Sequence, residues 1–175
     1  MKRIVFTGGL SCGKTTMINI LRNLNYEVIE ERSENLINNY KKEHGCYPWE
    51  GDNVLDFHEK AFFEQLKSQR EASGNLVFLD RSLIDRLAFF EFDNLSVPKK
   101  LFDIAESTKY DKIFFFEGSD KIYKTAKHRP HSIADSDKIG RLIKKIYKKF
   151  GYEMNIIPFC SKEERLKIIL NKICL

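Results

Sequence analysis

No apolar run in this chain approaches the roughly 20 residues needed to cross a bilayer, which excludes a spanning helix. Met1-Lys2-Arg3 leads straight into an apolar strand pattern rather than into a secretory leader, so a cytoplasmic location is expected. Cys12, Cys46, Cys160 and Cys174 lie far apart and form no C-x-x-C pair. That argues against a disulfide framework and for reduced thiols, with a zinc site from His44, Cys46 and His58 as the weaker alternative. Repeats, low-complexity tracts and linkers are also missing, so residues 1–175 are expected to form one domain.

What is present is ordinary for a globular chain, 42% hydrophobic and 31% charged, with a formal net charge of +5. Lys144, Lys145, Lys148 and Lys149 gather on one predicted helix, opposite Ile139, Leu142, Ile143, Ile146, Tyr147 and Phe150. This pattern describes the solvated face of an amphipathic helix better than a nucleic-acid or anionic-lipid surface.

The densest information lies in residues 3 to 16, where Gly8, four spacers and then Gly13-Lys14-Thr15 make the phosphate-binding loop pattern. Glycines let backbone N–H groups converge on an anion, and the following helix turns its N-terminus to the same phosphates. Gly8, Gly9, Leu10, Ser11, Cys12, Gly13, Lys14, Thr15 and Thr16 are the candidate nucleotide-binding residues. Lys14 supplies charge for the β- and γ-phosphates, and the Thr15 hydroxyl is placed to ligate Mg²⁺. Ile4, Val5 and Phe6 read as the strand that enters the loop; Met17, Ile18, Ile20, Leu21 and Leu24 have helical spacing after it.

Further strands are expected at Tyr26–Ile29, Leu76–Leu79, Ile113–Phe116 and Tyr152–Ile157. Helices are expected over 33–40, from an Asp52 or Asn53 cap to about 72, after Ser82, with Pro98 in a first turn, up to Phe150, and after a Ser161-x-x-Glu164 capping box. Lys41 to Asp52 reads as a loop, and 119–136 as a cation-rich, lid-like crossing segment. Strands alternating with helices imply a three-layer α/β/α sandwich around a five-stranded parallel sheet. Ligands of such sheets sit at the carboxyl ends of the strands, where Glu30-Glu31, Asp80-Arg81 and Glu117 fall. A carboxylate there can take a proton from a substrate hydroxyl or hold Mg²⁺; it can equally cap the next helix.

The phosphate loop, the acidic end of strand two, Asp80-Arg81-Ser82 and the basic segment before the penultimate helix resemble the P-loop small-molecule kinases. The chain looks closest to small AAA-type ATPases related to the nicotinamide riboside kinase domain of NadR-like proteins. It also resembles the nucleotide-binding domain of the TRPL translocation defect protein. The resemblance rests on Arg3–Thr16, Val28–Glu31, Phe78–Arg81 with Asp85 and Ala88, Tyr110–Phe114, Tyr147–Tyr152 and the tail Pro158-x-x-Ser161-x-x-Glu164-Arg165. Arg32-Ser33-Glu34 departs from the family's small pair and arginine, and no acidic residue closely follows Arg129.

The resemblance implies a nucleoside- or vitamin-like kinase that uses Mg·ATP and a small-molecule acceptor. In it, Glu31 or Glu30 is the base, Asp80 supports metal or acceptor, Arg81 orients the acceptor and Arg129 closes over the phosphoryl group. The alternative is a nucleotide-dependent switch acting on a protein or lipid. Neither Asn-Lys-x-Asp nor an Asp-x-x-Gly after strand three is present, which argues against a translation- or Ras-type GTPase; ATP against GTP, and a homodimer, are left open.

Overall fold

The computed structural model describes residues 1–50, 53–119 and 131–173. In chain order the elements are β1 (Lys2–Gly8), α1 (Lys14–Asn23), β2 (Glu27–Ile29), α2 (Ser33–His44), a 3₁₀ turn (Pro48–Glu50), α3 (Val54–Glu71) and β3 (Leu76–Asp80). There follow α4 (Leu83–Phe92), α5 (Lys99–Ser107), β4 (Lys112–Phe116), α6 (Ile133–Lys149), β5 (Met154–Ile157) and α7 (Lys162–Ile173). The five strands form one sheet in the order β2-β3-β1-β4-β5, and every pairing is parallel.

Strand side chains alternate between faces, and the two cores follow that period. Ile4, Phe6, Phe78, Phe114 and Phe116 point to one face, where α1 and α7 cover them with Met17, Ile18, Leu21 and Ile169. Val5, Val77, Leu79, Ile113 and Phe115 point to the other, under α3, α4, α5 and α6. Phe6 lies at the centre of the first core, with ring centroids 5.6 Å from Phe78, 5.8 Å from Phe114 and 5.0 Å from Phe116. Each such buried ring contributes about 1.5–3 kcal/mol through the hydrophobic effect.

The α/β/α sandwich and its five-stranded parallel sheet match the sequence expectation; several boundaries do not. Helix α2 continues to His44, where Gly45 at φ 74 stops it, so the expected loop from Lys41 starts four residues later. Helix α6 begins at Ile133, because Ser132 and Asp135 form a capping box inside the stretch expected to be irregular to 136. Pro98 sits at the N-cap of α5 rather than in its first turn, and Asn53 occupies the N-cap of α3. Asp52 and Arg129 lie outside the described residues. The Ser161–Glu164 box forms as expected: Ser161 N donates to Glu164 Oε2 at 3.0 Å and Glu164 N to Ser161 Oγ at 3.2 Å.

Candidate functional site

β1 runs into the phosphate loop at Gly8, whose φ of 140° is a conformation side chains rarely adopt. A Cβ there would stand 2.5 Å from Phe116 O on the neighbouring strand, so glycine lets β1 and β4 lie this close where they pair. Gly13, at φ 89, turns the chain into α1. Two distant side chains hold the loop between them. Ser136 Oγ on α6 accepts from Leu10 N at 2.8 Å and donates to Leu10 O at 3.0 Å. Arg165 on α7, nearly fully buried, donates to Cys12 O at 2.7 Å, Glu117 O at 3.1 Å and Pro158 O at 3.1 Å. Lys14 Nζ folds back onto Gly9 O at 2.7 Å and Cys12 Sγ at 3.3 Å.

The loop forms one wall of a cleft of about 820 Å³. Phe159, Cys160 and Ser161 close the cleft beside the start of α7; Ile37, Trp49, Phe57, His58, Phe89 and Asp93 line the opposite end. Glu31, Arg81 and Arg86 stand between the two ends.

Glu31 and Glu30 diverge sharply. Glu30 pairs with Arg22 on the exposed surface and lines a separate groove. Glu31 turns inward, accepting from Arg81 Nε at 2.9 Å and from Ser33 Oγ at 2.9 Å, with Arg86 Nη1 at 3.4 Å. Burial pushes the Glu31 carboxyl up, but Arg81, Arg86, Lys14 and the Ser33 hydroxyl outweigh it and hold the pKa at about 2. Glu31 is therefore a carboxylate at any ordinary pH.

Arg81 is the best-connected side chain of the site and only 1% exposed. Besides Glu31, it donates to Gly8 O at 3.0 Å and Gly9 O at 3.4 Å, lies 3.4 Å from Asp85 Oδ1 and sits over the Phe89 ring. Its backbone takes φ 69, a strained value for a side-chain-bearing residue, and its N–H donates to Phe6 O at 3.0 Å. Burial disfavours the charge, yet Glu31, Asp85 and Asp80 more than restore it, raising the pKa. Below it Asp85, fully buried, accepts from Thr7 Oγ1, Ser82 N (2.9 Å) and Tyr147 OH (2.6 Å), tying β1, α4 and α6 together.

Asp80 ends β3, 1% exposed. Its Oδ2 accepts from Thr15 Oγ1 at 2.7 Å, while Oδ1 is buried without a hydrogen-bond partner. Burial raises its pKa against the pull of Lys14, with Glu31 adding to the rise. An orphaned carboxylate oxygen beside a threonine hydroxyl fits a hard divalent cation, which takes oxygen donors from a carboxylate, water and phosphate.

Of the residues the sequence singles out, the structure pairs Thr15 with Asp80 and Glu31 with Arg81, while Lys14 bonds Gly9 O and Cys12 Sγ in the phosphate loop. Glu117 takes part through its backbone, its carbonyl accepting from Arg165 and its N–H donating to Ile157 O. The zinc alternative finds no support: His44 stacks on Tyr40, His58 bonds Asp93 at 2.6 Å, and no metal-holding cluster of His, Cys, Asp and Glu occurs among the described residues. The sequence reading missed Arg86, Ser136, Trp49 and the His58–Asp93 pair. No local motif marks them; the fold brings Ser136 to the phosphate loop and the others to the cleft.

The sequence model of a family described as an AAA domain matches residues 3–165. Dephospho-CoA kinase of Aquifex aeolicus (strain VF5) is 28% identical over 120 residues, covering 68% of this chain but only 58% of that enzyme. Deoxyadenosine kinase from M. mycoides, solved with dCMP and dCDP, superposes with a TM-score of 0.70 at 16% identity over 98% of each chain. Thymidylate kinase from Ehrlichia chaffeensis gives 0.65 at 16% identity, over 99% of this chain and 98% of that one. Likeness at that identity establishes the fold.

Proposed function

The chain belongs to the AAA domain family, and we propose that within it this protein is a phosphotransferase, moving the γ-phosphoryl group of Mg·ATP to the hydroxyl of a small molecule. The observation that carries this is the double grip of Arg81, which holds the Glu31 carboxylate with one edge and the Gly8 and Gly9 carbonyls with the other. A carboxylate is thereby registered against the phosphate loop, and phosphoryl transfer is chiefly a matter of such positioning. The kinase names among the relatives agree with this reading.

In this scheme the loop amides and Lys14 hold the β- and γ-phosphates. Thr15 and Asp80 would hold Mg²⁺, which neutralises charge on the phosphate oxygens when bound. Glu31 accepts the hydrogen bond of the acceptor hydroxyl. As the acceptor oxygen bonds to the γ-phosphorus, the bond to the β,γ-bridging oxygen breaks, its electron pair leaves with ADP, and the hydroxyl proton passes to Glu31. Arg81 acts through Glu31 and the loop, and is a positioning residue. Arg129 is assigned to the transferring phosphoryl group, because its planar fork suits phosphate better than the lysines near it.

One domain over 1–175, a cytoplasmic setting and kinship with NadR-like kinases belong to the same proposal. Among the described residues no helix is long and apolar enough to cross a membrane. The test is ATP turnover with and without a panel of hydroxyl compounds. Acceptor-dependent ADP release is expected; uniformly slow, acceptor-blind hydrolysis would instead point to a nucleotide-dependent switch. Arg129→Ala should slow acceptor-dependent release by roughly 10³-fold, as loss of a catalytic arginine does.

A further inference from the structure

Resting on the phosphotransfer reading, we infer that the acceptor is a hydroxy acid whose carboxylate is taken by the Arg86 guanidinium, beside Glu31. Arg86 lies on the wall of the cleft, 5% exposed, and the transfer step described above does not use it. It donates to Ser33 Oγ at 2.6 Å and pairs with Glu31 Oε1 at 3.4 Å, and both contacts run through Nη1. Nε is buried without a partner, and Nη2 bonds none of the described residues. Those two nitrogens form one side of the planar fork, a side on which arginine takes a carboxylate two-pronged. An unmet donor on a buried cation costs free energy until a ligand supplies the acceptor.

The two arginines next to Glu31 differ in how far they are neutralised. Burial disfavours the charge of Arg81, but Glu31, Asp85 and Asp80 outweigh it and raise the pKa. For Arg86 burial prevails over Glu31, Asp85 and Asp80, Arg81 adds repulsion, and the pKa falls. Arg86 is thus a buried cation short of counter-charge. The other charges of the cleft limit the ligand to a single negative one. Lys14 and Arg165 are bonded to carbonyls of the phosphate loop, and Lys162 stands on that side, at the start of α7. At the other end, Glu31, Glu34 and Asp93 stand with Arg81 and Arg86. There His58 Nε2 lies 2.6 Å from Asp93 Oδ2, and His131 packs on the Trp49 and Phe92 rings. One guanidinium edge among three carboxylates suits a monoanion; a phosphomonoester brings close to two charges and calls for further cations. Glu31 sits on Nη1, so the arginine screens it from a carboxylate held on the opposite edge, and the acceptor hydroxyl is delivered to the base. Trp49, Phe57 and Phe89 cover the carbon skeleton.

For the test, the phosphate loop is first filled with Mg²⁺ and a non-hydrolysable ATP analogue, so that added anions cannot settle there. Glycerate, pantothenate and mandelate, each against its own amide, are then titrated into the intact protein, with glycerophosphate as the dianion. Calorimetry reports binding, as does the emission of Trp49, the chain's one tryptophan, which lines the cleft. ADP release from ATP is followed separately. At least one acid is expected to bind more tightly than its amide by roughly ten- to hundredfold, the worth of a hydrogen bond to a charged group, and glycerophosphate more weakly than glycerate. Arg86→Gln should erase the preference for the acid while the affinity for the amide stays, and Arg86→Lys should restore part of it. Far-UV dichroism and analogue binding check the fold of both variants; should Arg86→Gln not fold, Arg86→Lys must still narrow the preference, since it loses the fork. Amides that match their acids, a preference unchanged in the variants, glycerophosphate tighter than glycerate, or silence from every probe while the analogue binds would each overturn the inference. Acids that bind through Arg86 yet never stimulate ADP release leave it standing and overturn the phosphotransfer reading instead.

Discussion

Arg81 Nε meets Glu31 Oε2 at 2.9 Å while Nη1 of the same guanidinium meets Gly8 O at 3.0 Å, so the end of β2 and the start of the phosphate loop share one planar group. Lysine cannot reproduce that geometry, because its single ammonium has no fixed fork. Arg81→Lys is expected to lower kcat by roughly 10²-fold, the scale of an ångström-sized misplacement, with a smaller change in ATP affinity. Arg81→Ala should also lose about 3–5 kcal/mol of stability, because it strands Asp85 and Glu31 as buried charges. Single-turnover kinetics and urea unfolding of the two variants separate these effects. Wild-type kcat in Arg81→Lys would reduce the residue to a structural ion pair.

Lys14→Ala should weaken ATP binding by roughly ten- to hundredfold, the worth of a hydrogen bond to a charged group, and leave far-UV dichroism unchanged. Among the described residues its ammonium bonds Gly9 O and Cys12 Sγ, both in the phosphate loop, so no apolar core contact is lost. Calorimetric titration with Mg·ATP measures the effect; an unchanged affinity would refute the phosphate-loop reading.

Glu31 carries the pH prediction. Its folded pKa is about 2 against an ordinary 4.5, so this is a depressed acid. Its contribution to stability is therefore fully present above about pH 4.5 and is lost as the pH falls through 2. Glu31→Gln should flatten that acid limb of the unfolding free energy. It should also slow transfer by roughly 10²- to 10⁴-fold, with nucleotide binding kept. Glu30→Gln should change stability by no more than about 0.5 kcal/mol, since its partner Arg22 is exposed. Reversed behaviour of the two variants would move the base to Glu30.

The same two glutamates show what a sequence can and cannot say. Their place at a strand end follows from local pattern, as do the loop, the five strands and the Ser161 box. Which of the pair faces the cleft depends on one residue of β2 register against β3, and adjacent strand positions point to opposite faces. Ser136 on Leu10 and Arg165 on Cys12 span 126 and 153 residues of chain, and no local period records such contacts. The late start assigned to α6 has a different cause: Ser132 and Asp135 make a box with aspartate where glutamate is the usual signal.

Tyr147 tests the buried network under the site. Its hydroxyl lies 2.6 Å from both Asp85 Oδ2 and Ser82 Oγ, and burial, with Asp85 beside it, raises its pKa well above the ordinary tyrosine value. Tyr147→Phe keeps the ring in the core but withdraws one donor from a buried carboxylate. A loss of about 1–3 kcal/mol in urea unfolding is expected, with kcat changed much less than in Arg81→Lys. A neutral effect on stability would mean that Thr7, Ser82 and Arg81 satisfy Asp85 unaided.

Arg165 ties the α7 end of the cleft to the loop, and its removal should be felt on one substrate only. The guanidinium lies between the Phe116 and Phe159 rings, 5.5 Å and 5.4 Å from their centroids, and donates to three backbone carbonyls on three separate segments. One of them, Cys12 O, belongs to the phosphate loop, and a Cβ on Gly13 would stand 2.9 Å from Arg165 Nη1. Removing the pin frees the loop to sample conformations that do not hold phosphate, which lowers apparent ATP affinity by the fraction lost. Arg165→Ala is expected to raise KM for ATP by roughly tenfold, leave KM for the acceptor unchanged, and cost about 1–3 kcal/mol from the unpaired carbonyls. Arg165→Lys should recover only part of the ATP effect, since one ammonium cannot reach all three carbonyls. Initial rates with each substrate varied in turn give the answer: equal increases in both KM values would show that Arg165 supports the cleft as a whole rather than the loop.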